Sequence, residues 1–245
     1  MESAPNTIFE IAFVCAMPME LDPVVQKLTL RESVIGDMSV HVGSPGGRRV
    51  AAIVTGMGPA LAASGVADLL DAVEVGWVIV VGITGAVDDD TPIGTLIRPE
   101  TVVDGSTDTP GGGSEYRPTP FGSQRPAGVM WTTDRLITDP KEIAELRARG
   151  VVSLDMETAA IAAECERRAI PWSVFRVISD RATDGSVDEE IFHLSNEDGT
   201  PNDAAIERYF NEHPERVEAM ARLAEGAVLG AEAAAEAAIA ACRFD

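Results

Sequence analysis

The chain has 245 residues, of which 45% are hydrophobic, and this composition is sufficient for one large globular domain. Its 40 acidic residues outnumber the 19 basic ones, and the formal net charge of −21 makes nucleic acid and anionic membrane surfaces poor partners. The best candidate for a membrane span, Val78 to Val87, has only the length of a strand.

Strand-like and helix-like segments alternate along the chain. Strands are predicted at short apolar runs, and helices at alanine- and leucine-rich segments, one of which follows Pro59. The predicted strands are Ile8–Cys15, Val40–Val42, Val50–Thr55, Trp77–Val81, Leu96–Val103, Gly128–Thr132, Val151–Leu154 and Trp172–Ser179. The predicted helices are Pro23–Leu28, Ala60–Ala72, Ile143–Arg149, Met156–Arg168 and a helical C-terminal tail over 203–243.

This alternation predicts a single α/β domain over residues 1–245, with a mixed, mostly parallel twisted central sheet flanked by helices. Residues 105–127 are rich in glycine, proline, serine and threonine, and they predict a mobile loop because strand-like sequence resumes at Gly128. In such folds ligands bind beyond the carboxyl ends of the strands.

The cysteines and the N-terminus indicate a cytoplasmic protein. Cys15, Cys165 and Cys242 lie far apart and follow neither a disulfide framework nor a zinc-like spacing. The N-terminus has no basic start followed by an apolar stretch, so we expect no secretion signal and a reduced cytoplasmic setting. The histidines follow no ligand or triad pattern.

Three short segments directly follow predicted strands, and two of them are rich in glycine. Met17-Pro18-Met19-Glu20 follows the first strand, Gly56-Met57-Gly58 the third, and Gly82 to Ala86 the fourth. Glycine turns let backbone N–H groups approach a ligand, although each turn taken alone is also explained as a tight strand-to-helix connection. Their spacing matches neither a P-loop nor a dinucleotide fingerprint.

Acidic residues follow two later strands. Asp155 is explained as a cap of the next helix, and Glu157 as a first-turn residue that the helix dipole favours. Asp180 is explained as a cap of the turn after the most apolar strand, but burial there also suits a carboxylic acid to donate a proton near neutral pH. We expect Glu20, Glu157 and Asp180 at the same edge of one sheet, and a purely structural role does not explain such a group of acids.

These segments resemble the motifs of the family that contains methylthioadenosine/adenosylhomocysteine nucleosidases and purine nucleoside phosphorylases. Within Ile8 to Thr183 the similar segments are Cys15-Ala16-Met17-Pro18-Met19-Glu20, Thr55-Gly56-Met57-Gly58, Gly82-Ile83-Thr84-Gly85-Ala86-Val87, Asp155-Met156-Glu157 and Ile178-Ser179-Asp180. The resemblance implies an enzyme that cleaves the N-glycosidic bond of a small-molecule purine nucleoside. It also implies a homodimer or higher homo-oligomer. Nothing in the sequence calls for a cofactor or a metal.

The resemblance implies a role for each candidate residue. Asp180 would be the acid at purine N7, and Glu20 would activate the attacking water, a division that different environments can impose on two carboxyl groups. Glu157 would bind the ribose hydroxyls. Substrate-binding roles are implied for Met17, Met57, Gly82, Leu136, Ile137, Met156, Glu157 and Ser179.

Departures from the phosphorylase pattern favour water over phosphate as the attacking group. Val80 and Ile83 stand where related phosphorylases carry an arginine and a serine, and Met19-Glu20 replaces an expected basic residue. A glutamate there would repel phosphate. The alternatives left open are a phosphate-dependent phosphorylase and a nucleoside-binding protein without catalysis.

The C-terminal segment from Phe192 to Arg243 resembles a bacterial subgroup with hopanoid-associated members, which are linked to the removal of adenine from adenosylhopane. This resemblance implies an adenine-type base and a bulky apolar group at the 5′ position of the sugar. Leu136 and Ile83 depart from the family pattern, since they replace an aromatic residue that stacks on the base and a serine that supports the acid.

Overall fold

The computed structural model describes residues 8–106, 113–183, 187, 189–196 and 198–244. The strands are β1 Ile8–Phe9, β2 Ile11–Cys15, β3 Arg31–Ile35, β4 Met38–Gly43, β5 Val50–Val54, β6 Glu74–Val75, β7 Val78–Ala86, β8 Leu96–Ile97, β9 Thr101–Asp104, β10 Glu115–Tyr116, β11 Val129–Thr132, β12 Val151–Asp155 and β13 Trp172–Arg181. The helices are α1 Pro18–Leu28, α2 Pro59–Ala72, α3 Pro140–Ala148, α4 Thr158–Arg167, α5 Glu189–Phe192, α6 Asp203–Glu212 and α7 Val217–Cys242. Short 3-10 helices occur at Pro45–Gly47 and Pro214–Arg216.

A mixed sheet runs in the order β10-β9-β11-β12-β7-β2-β5-β4-β3, and β13 joins it at β7. Parallel pairing dominates around β7, β2, β5 and β13, while antiparallel pairs join β12 to β7 and form the outer edges. Helices α2 and α4 pack on one face of the sheet, and α1 and α7 pack on the other. The predicted mixed sheet between helices is therefore confirmed.

The glycine-rich segment Gly82 to Ala86 does not form the turn that its composition predicts, because it continues β7 to Ala86. On one edge of this strand the pairing with β2 ends at Val80, and the pairing with β12 begins at Gly85. On this edge, the backbone N–H and C=O groups between Val80 and Gly85 have no neighbouring strand among the described residues, so they can bind other groups.

Strand β13 also runs further than predicted. It extends past Ser179 to Arg181, and its pairing with β7 shifts register between Ile178 and Asp180. Such a β-bulge turns a side chain away from the regular alternation of the strand. Asp180 therefore belongs to the strand rather than to a turn after it.

The predicted loop over 105–127 lies partly outside the described residues, which omit 107–112. After β10 the chain lies against β13, where Thr119 N–H donates to the Trp172 carbonyl at 2.7 Å. Phe121 packs on Trp77 with the ring centroids 4.8 Å apart. The mobility of this loop stays a prediction.

Helix α7 forms most of the predicted C-terminal helical tail and approaches the sheet closely through two glycines. A Cβ atom at Gly226 would lie 2.7 Å from the Ser179 carbonyl oxygen, and one at Gly230 would lie 3.1 Å from Ile83 Cγ2. This contact fixes the first half of α7 beside the ends of β7 and β13. None of the described helices, α7 included, is apolar over a sufficient length to cross a bilayer.

Exchanging Gly226 for alanine should destabilise the protein by about 1–3 kcal/mol, because the added methyl group overlaps a backbone oxygen of β13. Helix propensity alone would predict that this exchange stabilises the protein, since alanine is favoured over glycine in a helix by about 1 kcal/mol. Urea denaturation gives the free energy of unfolding, and Ala221→Gly on the exposed face of α7 measures propensity alone. An unchanged or raised value for Gly226→Ala would contradict this packing.

Candidate active site

A cavity of about 350 Å³ lies where the ends of β7, β12 and β13 meet the starts of α1 and α4. The predicted site residues that line it are Met17, Glu20, Met57, Leu136, Met156, Glu157, Ser179 and Asp180. Ile137 lines a smaller adjoining pocket, which shares Leu136, Met156 and Asp180 with the main cavity. Gly82 lines neither. The structure thus brings the predicted acids together, and their roles stay predictions.

Glu20 is held by backbone N–H groups of two elements. Its Oε2 accepts hydrogen bonds from Ala16 N–H at 2.9 Å and Met17 N–H at 3.1 Å, at the start of α1. Its Oε1 accepts from Ile83 N–H at 2.8 Å, in the part of β7 between its pairings with β2 and β12. Burial raises the pKa of the Glu20 carboxyl, whereas Arg176 and these N–H groups oppose the rise.

Gly82 makes room for Glu20 instead of touching the cavity. A Cβ atom at Gly82 would lie 2.1 Å from Glu20 Oε1, so any side chain there would displace the carboxylate. The structure shows a packing role for Gly82, and the substrate-binding role predicted for it stays a prediction. The glycine-rich sequence of β7 follows from this close approach.

Glu157 joins the start of α4 to the glycine turn after β5. Its Oε1 accepts a hydrogen bond from Gly58 N–H at 2.9 Å, and Gly58 has a φ of 91°, which favours glycine. Its Oε2 lies 3.1 Å from Arg176 Nη2. Burial raises the pKa of Glu157 to about 7, Arg176 opposes this rise, and the negative charge of Asp155 adds to it.

Arg176 lies at the centre of these acids, and the sequence prediction missed it. Its side chain is 2% exposed, with Nη2 3.0 Å from Asp155 Oδ2 and Nη1 3.7 Å from Glu20 Oε1. Nη1 also donates to the Ile83 carbonyl at 2.7 Å. Burial lowers the pKa of Arg176, but the surrounding carboxylates outweigh it, so the pKa is raised and the guanidinium stays charged.

The signal for Arg176 was present in the sequence. It is the one charged residue in the run from Trp172 to Ser179, which is otherwise apolar except for two serines. A charge in a strand that is buried on both faces is tolerated only when it is paired. An arginine in such a strand therefore indicates buried carboxylates at the same level of the sheet.

Asp180 lies between the main cavity and the smaller pocket and lines both. Ser179 Oγ donates to its Oδ1 at 2.5 Å. A Cβ atom at Gly85 would lie 3.0 Å from its Oδ2, so this glycine allows the carboxyl group to pack against β7. Asp180 directly follows the register shift in the pairing of β13 with β7.

The remaining side of the cavity is apolar and was also missed by the sequence prediction. Helix α7 supplies one face with the spacing i, i+3, i+4 and i+7, formed by Met220, Leu223, Ala224 and Ala227. The segment before α6 adds Val187, Ile191 and Ser195. Ser195 is the only polar side chain on this side among the described residues. We call these seven residues the apolar wall.

The chain matches a family model described as the phosphorylase superfamily over residues 10–127 and 121–208. It belongs to the phosphorylase superfamily. This membership confirms the resemblance drawn from the sequence motifs, together with the expectation of an enzyme of the nucleosidase and nucleoside phosphorylase group.

Curated relatives of this superfamily member are named 5′-methylthioadenosine/S-adenosylhomocysteine nucleosidase. The protein of Marinomonas sp. (strain MWYL1) is 26% identical over 198 residues, which are 70% of this chain and 86% of that protein. The protein of Geobacillus sp. (strain WCH70) is 26% identical over 199 residues, which are 71% of this chain and 86% of that protein.

Solved structures of two Helicobacter pylori proteins share the fold. The 5′-methylthioadenosine/S-adenosylhomocysteine nucleosidase, complexed with a pyrrolopyrimidine-bearing pyrrolidinol, has a TM-score of 0.73 at 16% identity and covers 97% of this chain and 99% of its own. The futalosine hydrolase has a TM-score of 0.72 at 16% identity and covers 96% of this chain and 97% of its own. At these identities the likeness shows the fold alone.

Glu157→Gln should stabilise the protein relative to wild type at pH 8 and lose that advantage at low pH. Burial raises the pKa of Glu157 from its ordinary 4.5 to about 7, so between these values the folded state holds a proton that the unfolded state releases. The contribution of Glu157 to the free energy of unfolding of the wild type therefore falls as the pH rises through this range. A neutral glutamine avoids this loss.

Thermal unfolding of both proteins from pH 4.5 to 8.5 measures this difference. Glu164→Gln in the same helix is the matched control, because a hydrogen bond from Arg167 lowers the pKa of Glu164. Its difference from wild type should be unfavourable and almost constant over this range, because a carboxyl group with a lowered pKa loses its contribution only below its ordinary value of 4.5. A difference for Glu157→Gln that does not change with pH would contradict the raised pKa.

Proposed function

We propose that the protein hydrolyses the N-glycosidic bond of a purine nucleoside, with Asp180 as the acid at the base and Glu20 as the group that activates water. The reaction class is supported by membership of the phosphorylase superfamily and by curated relatives that are named nucleosidases. The assignment of roles is supported by the meeting of Glu20, Glu157 and Asp180 at one cavity.

On the base side, a purine in the smaller pocket would lie against Leu136 and Ile137 and present N7 to Asp180. Proton donation to N7 draws electrons from the glycosidic bond and lets the base leave as a neutral molecule. The Ser179 hydroxyl, which donates to Asp180 Oδ1, would keep the carboxyl group oriented toward the base. This arrangement suits a purine, and the adenine-type base is what the family resemblance implies.

On the sugar side, Glu157 would accept hydrogen bonds from the ribose hydroxyls, flanked by Met17, Met57 and Met156. Its ionised form favours the positive charge that develops on the sugar as the bond breaks. Glu20 would accept a proton from water, and its raised pKa improves it as a base near neutral pH.

The charge around Arg176 is the observation that favours water over phosphate. Among the described residues that line the main cavity, Arg176 is the only cationic side chain, and Asp155, Glu157 and Glu20 lie 3.0, 3.1 and 3.7 Å from it. Its positive charge is therefore already compensated. A phosphate anion here would meet buried carboxylates, and like charges at this range repel strongly in a low dielectric.

Asp180→Asn should lower kcat for base release by about 10²-fold or more, because asparagine cannot donate a proton to N7. The assay follows release of free base from adenosine, inosine and 5′-methylthioadenosine, with and without phosphate. Asp71→Asn, at an exposed position of α2, is the control and should leave the rate unchanged. A fully active Asp180→Asn enzyme would remove Asp180 from the mechanism.

The same assay separates the alternatives. Base release that requires phosphate and yields a sugar phosphate would establish phosphorolysis. Tight nucleoside binding without base release would indicate a nucleoside-binding protein. The homodimer or higher oligomer implied by the family resemblance stays a prediction.

The proposal extends to the 5′ substituent, which would lie against the apolar wall. That wall carries no charged side chain among its described residues, so it offers no partner for the amino and carboxyl groups of an amino acid. An uncharged, apolar 5′ group is therefore favoured over a homocysteine group. The resemblance of the C-terminal segment to hopanoid-associated proteins points in the same direction.

Each methylene added to a 5′-alkylthio chain should lower KM about threefold to fourfold until the wall is filled, as burial of a CH₂ group contributes about 0.8 kcal/mol. S-adenosylhomocysteine should be a poorer substrate than a 5′-alkylthioadenosine of similar length. Ala227→Phe should raise KM for the long chains and leave adenosine little affected. Equal KM values along the alkyl series would contradict this placement.

A further inference from the structure

Asp155 makes more contacts than a helix cap requires. Its Oδ2 accepts hydrogen bonds from Thr158 N–H at 2.9 Å and Glu157 N–H at 3.3 Å, which is the expected cap of α4. The same oxygen lies 3.0 Å from Arg176 Nη2, and Oδ1 accepts from the Thr132 hydroxyl at 2.6 Å. The side chain is only 1% exposed, and Asp155 lies at the boundary of the main cavity and the smaller pocket.

The hydroxyl groups around Asp155 have defined donor directions. Thr158 Oγ1 accepts from Arg176 Nε at 3.1 Å, and Thr132 Oγ1 accepts from Ala159 N–H at 3.0 Å. The N–H groups of Arg176 Nε and Ala159 can only donate, so each threonine oxygen accepts from one of them. Each hydroxyl therefore points its own hydrogen at the carboxylate of Asp155. Asp155 is thus surrounded by hydrogen-bond donors on both of its oxygens.

Glu157 is less well supplied with donors. Its carboxylate accepts from Gly58 N–H and shares Arg176 Nη2 with Asp155. One guanidinium faces the carboxylates of Asp155, Glu157 and Glu20, so full ionisation would bury excess negative charge, which is costly. The negative charge of Asp155 is one cause of the raised pKa of Glu157.

We propose that Asp155 is a positioning residue of the reaction: its carboxylate holds Arg176, shares Nη2 of this arginine with Glu157, and so controls how Glu157 is presented to the ribose. This inference rests on the proposed function, in which ionised Glu157 accepts hydrogen bonds from the ribose hydroxyls. Asp155 acts on the substrate only through Arg176 and Glu157.

Asp155→Asn tests the proposal, because asparagine has the same shape and its carbonyl oxygen can still cap α4. Without the charge of Asp155, Arg176 pairs more fully with Glu157, and the pKa of Glu157 falls. The acid limb of the pH profile of kcat/KM should therefore move to lower pH by about one unit. Asp155→Glu, which keeps the charge, should retain an acid limb near that of wild type.

Asp139→Asn is the matched control for helix capping, since Asp139 caps α3 by accepting from Lys141 N–H at 2.9 Å. Its acid limb should coincide with that of wild type. If Asp155→Asn lowers activity uniformly and leaves the acid limb in place, the proposal is overturned and Asp155 is only a cap.

A second pair of variants covers the case in which Asp155→Asn does not fold, as judged by circular dichroism. Asp155→Ser removes the charge and keeps a side-chain oxygen that can cap α4, whereas Asp155→Glu keeps the charge. The acid limb should move to lower pH in Asp155→Ser and stay in place in Asp155→Glu. Coincident limbs in these two variants would overturn the proposal.

Proton release on binding separates this inference from the proposed function. Calorimetric titration with adenosine near pH 6, in buffers of different ionisation enthalpy, counts the protons that Glu157 releases when the ribose binds. If no base is released but proton release moves to lower pH in Asp155→Asn, the proposed catalysis fails and the role of Asp155 stands. Binding without proton release, or no binding at all, overturns the role of Asp155.

Discussion

The buried guanidinium of Arg176, with carboxylates from two helix starts and the end of a strand around it, is the interaction on which the rest of the site depends. Strand β13 places the arginine, the first turn of α1 brings Glu20, and the β12–α4 junction brings Asp155 and Glu157. Loss of the arginine would leave buried carboxylates without a counter-charge, and loss of a single carboxylate would alter the charge on the others. The ion cluster therefore ties together elements that lie far apart in the sequence.

The acids lie where regular backbone pairing stops. Ile83 N–H belongs to the part of β7 between its pairings with β2 and β12, and it binds Glu20. The N–H groups of Ala16 and Met17, at the start of α1, bind the same carboxylate. Gly58 N–H, at the start of α2, binds Glu157. Backbone donors without a partner in the same helix or strand need an acceptor, so the site forms from interruptions of the secondary structure.

The order of strands and helices could be predicted from the sequence, because apolar runs and prolines are local signals. The meeting of the acids could be anticipated for the same reason, since each follows a strand. The turn expected over Gly82 to Ala86 was wrong, because its glycines make room for the carboxyl groups of Glu20 and Asp180, which arrive from elsewhere in the chain. The apolar wall could not be predicted, because it depends on how closely Gly226 lets α7 approach β13.

The charged side and the apolar wall of the cavity act on each other. An apolar wall excludes water, and a lower dielectric strengthens every interaction between charges inside the cavity. The same desolvation raises the pKa of Glu20 and Glu157. Under the proposed function, a 5′ group that fills the wall removes water other than the attacking molecule, so it strengthens the attraction between Glu157 and the positive sugar. Selectivity for an apolar 5′ group and stabilisation of the transition state would then have the same physical cause, the exclusion of water from one cavity.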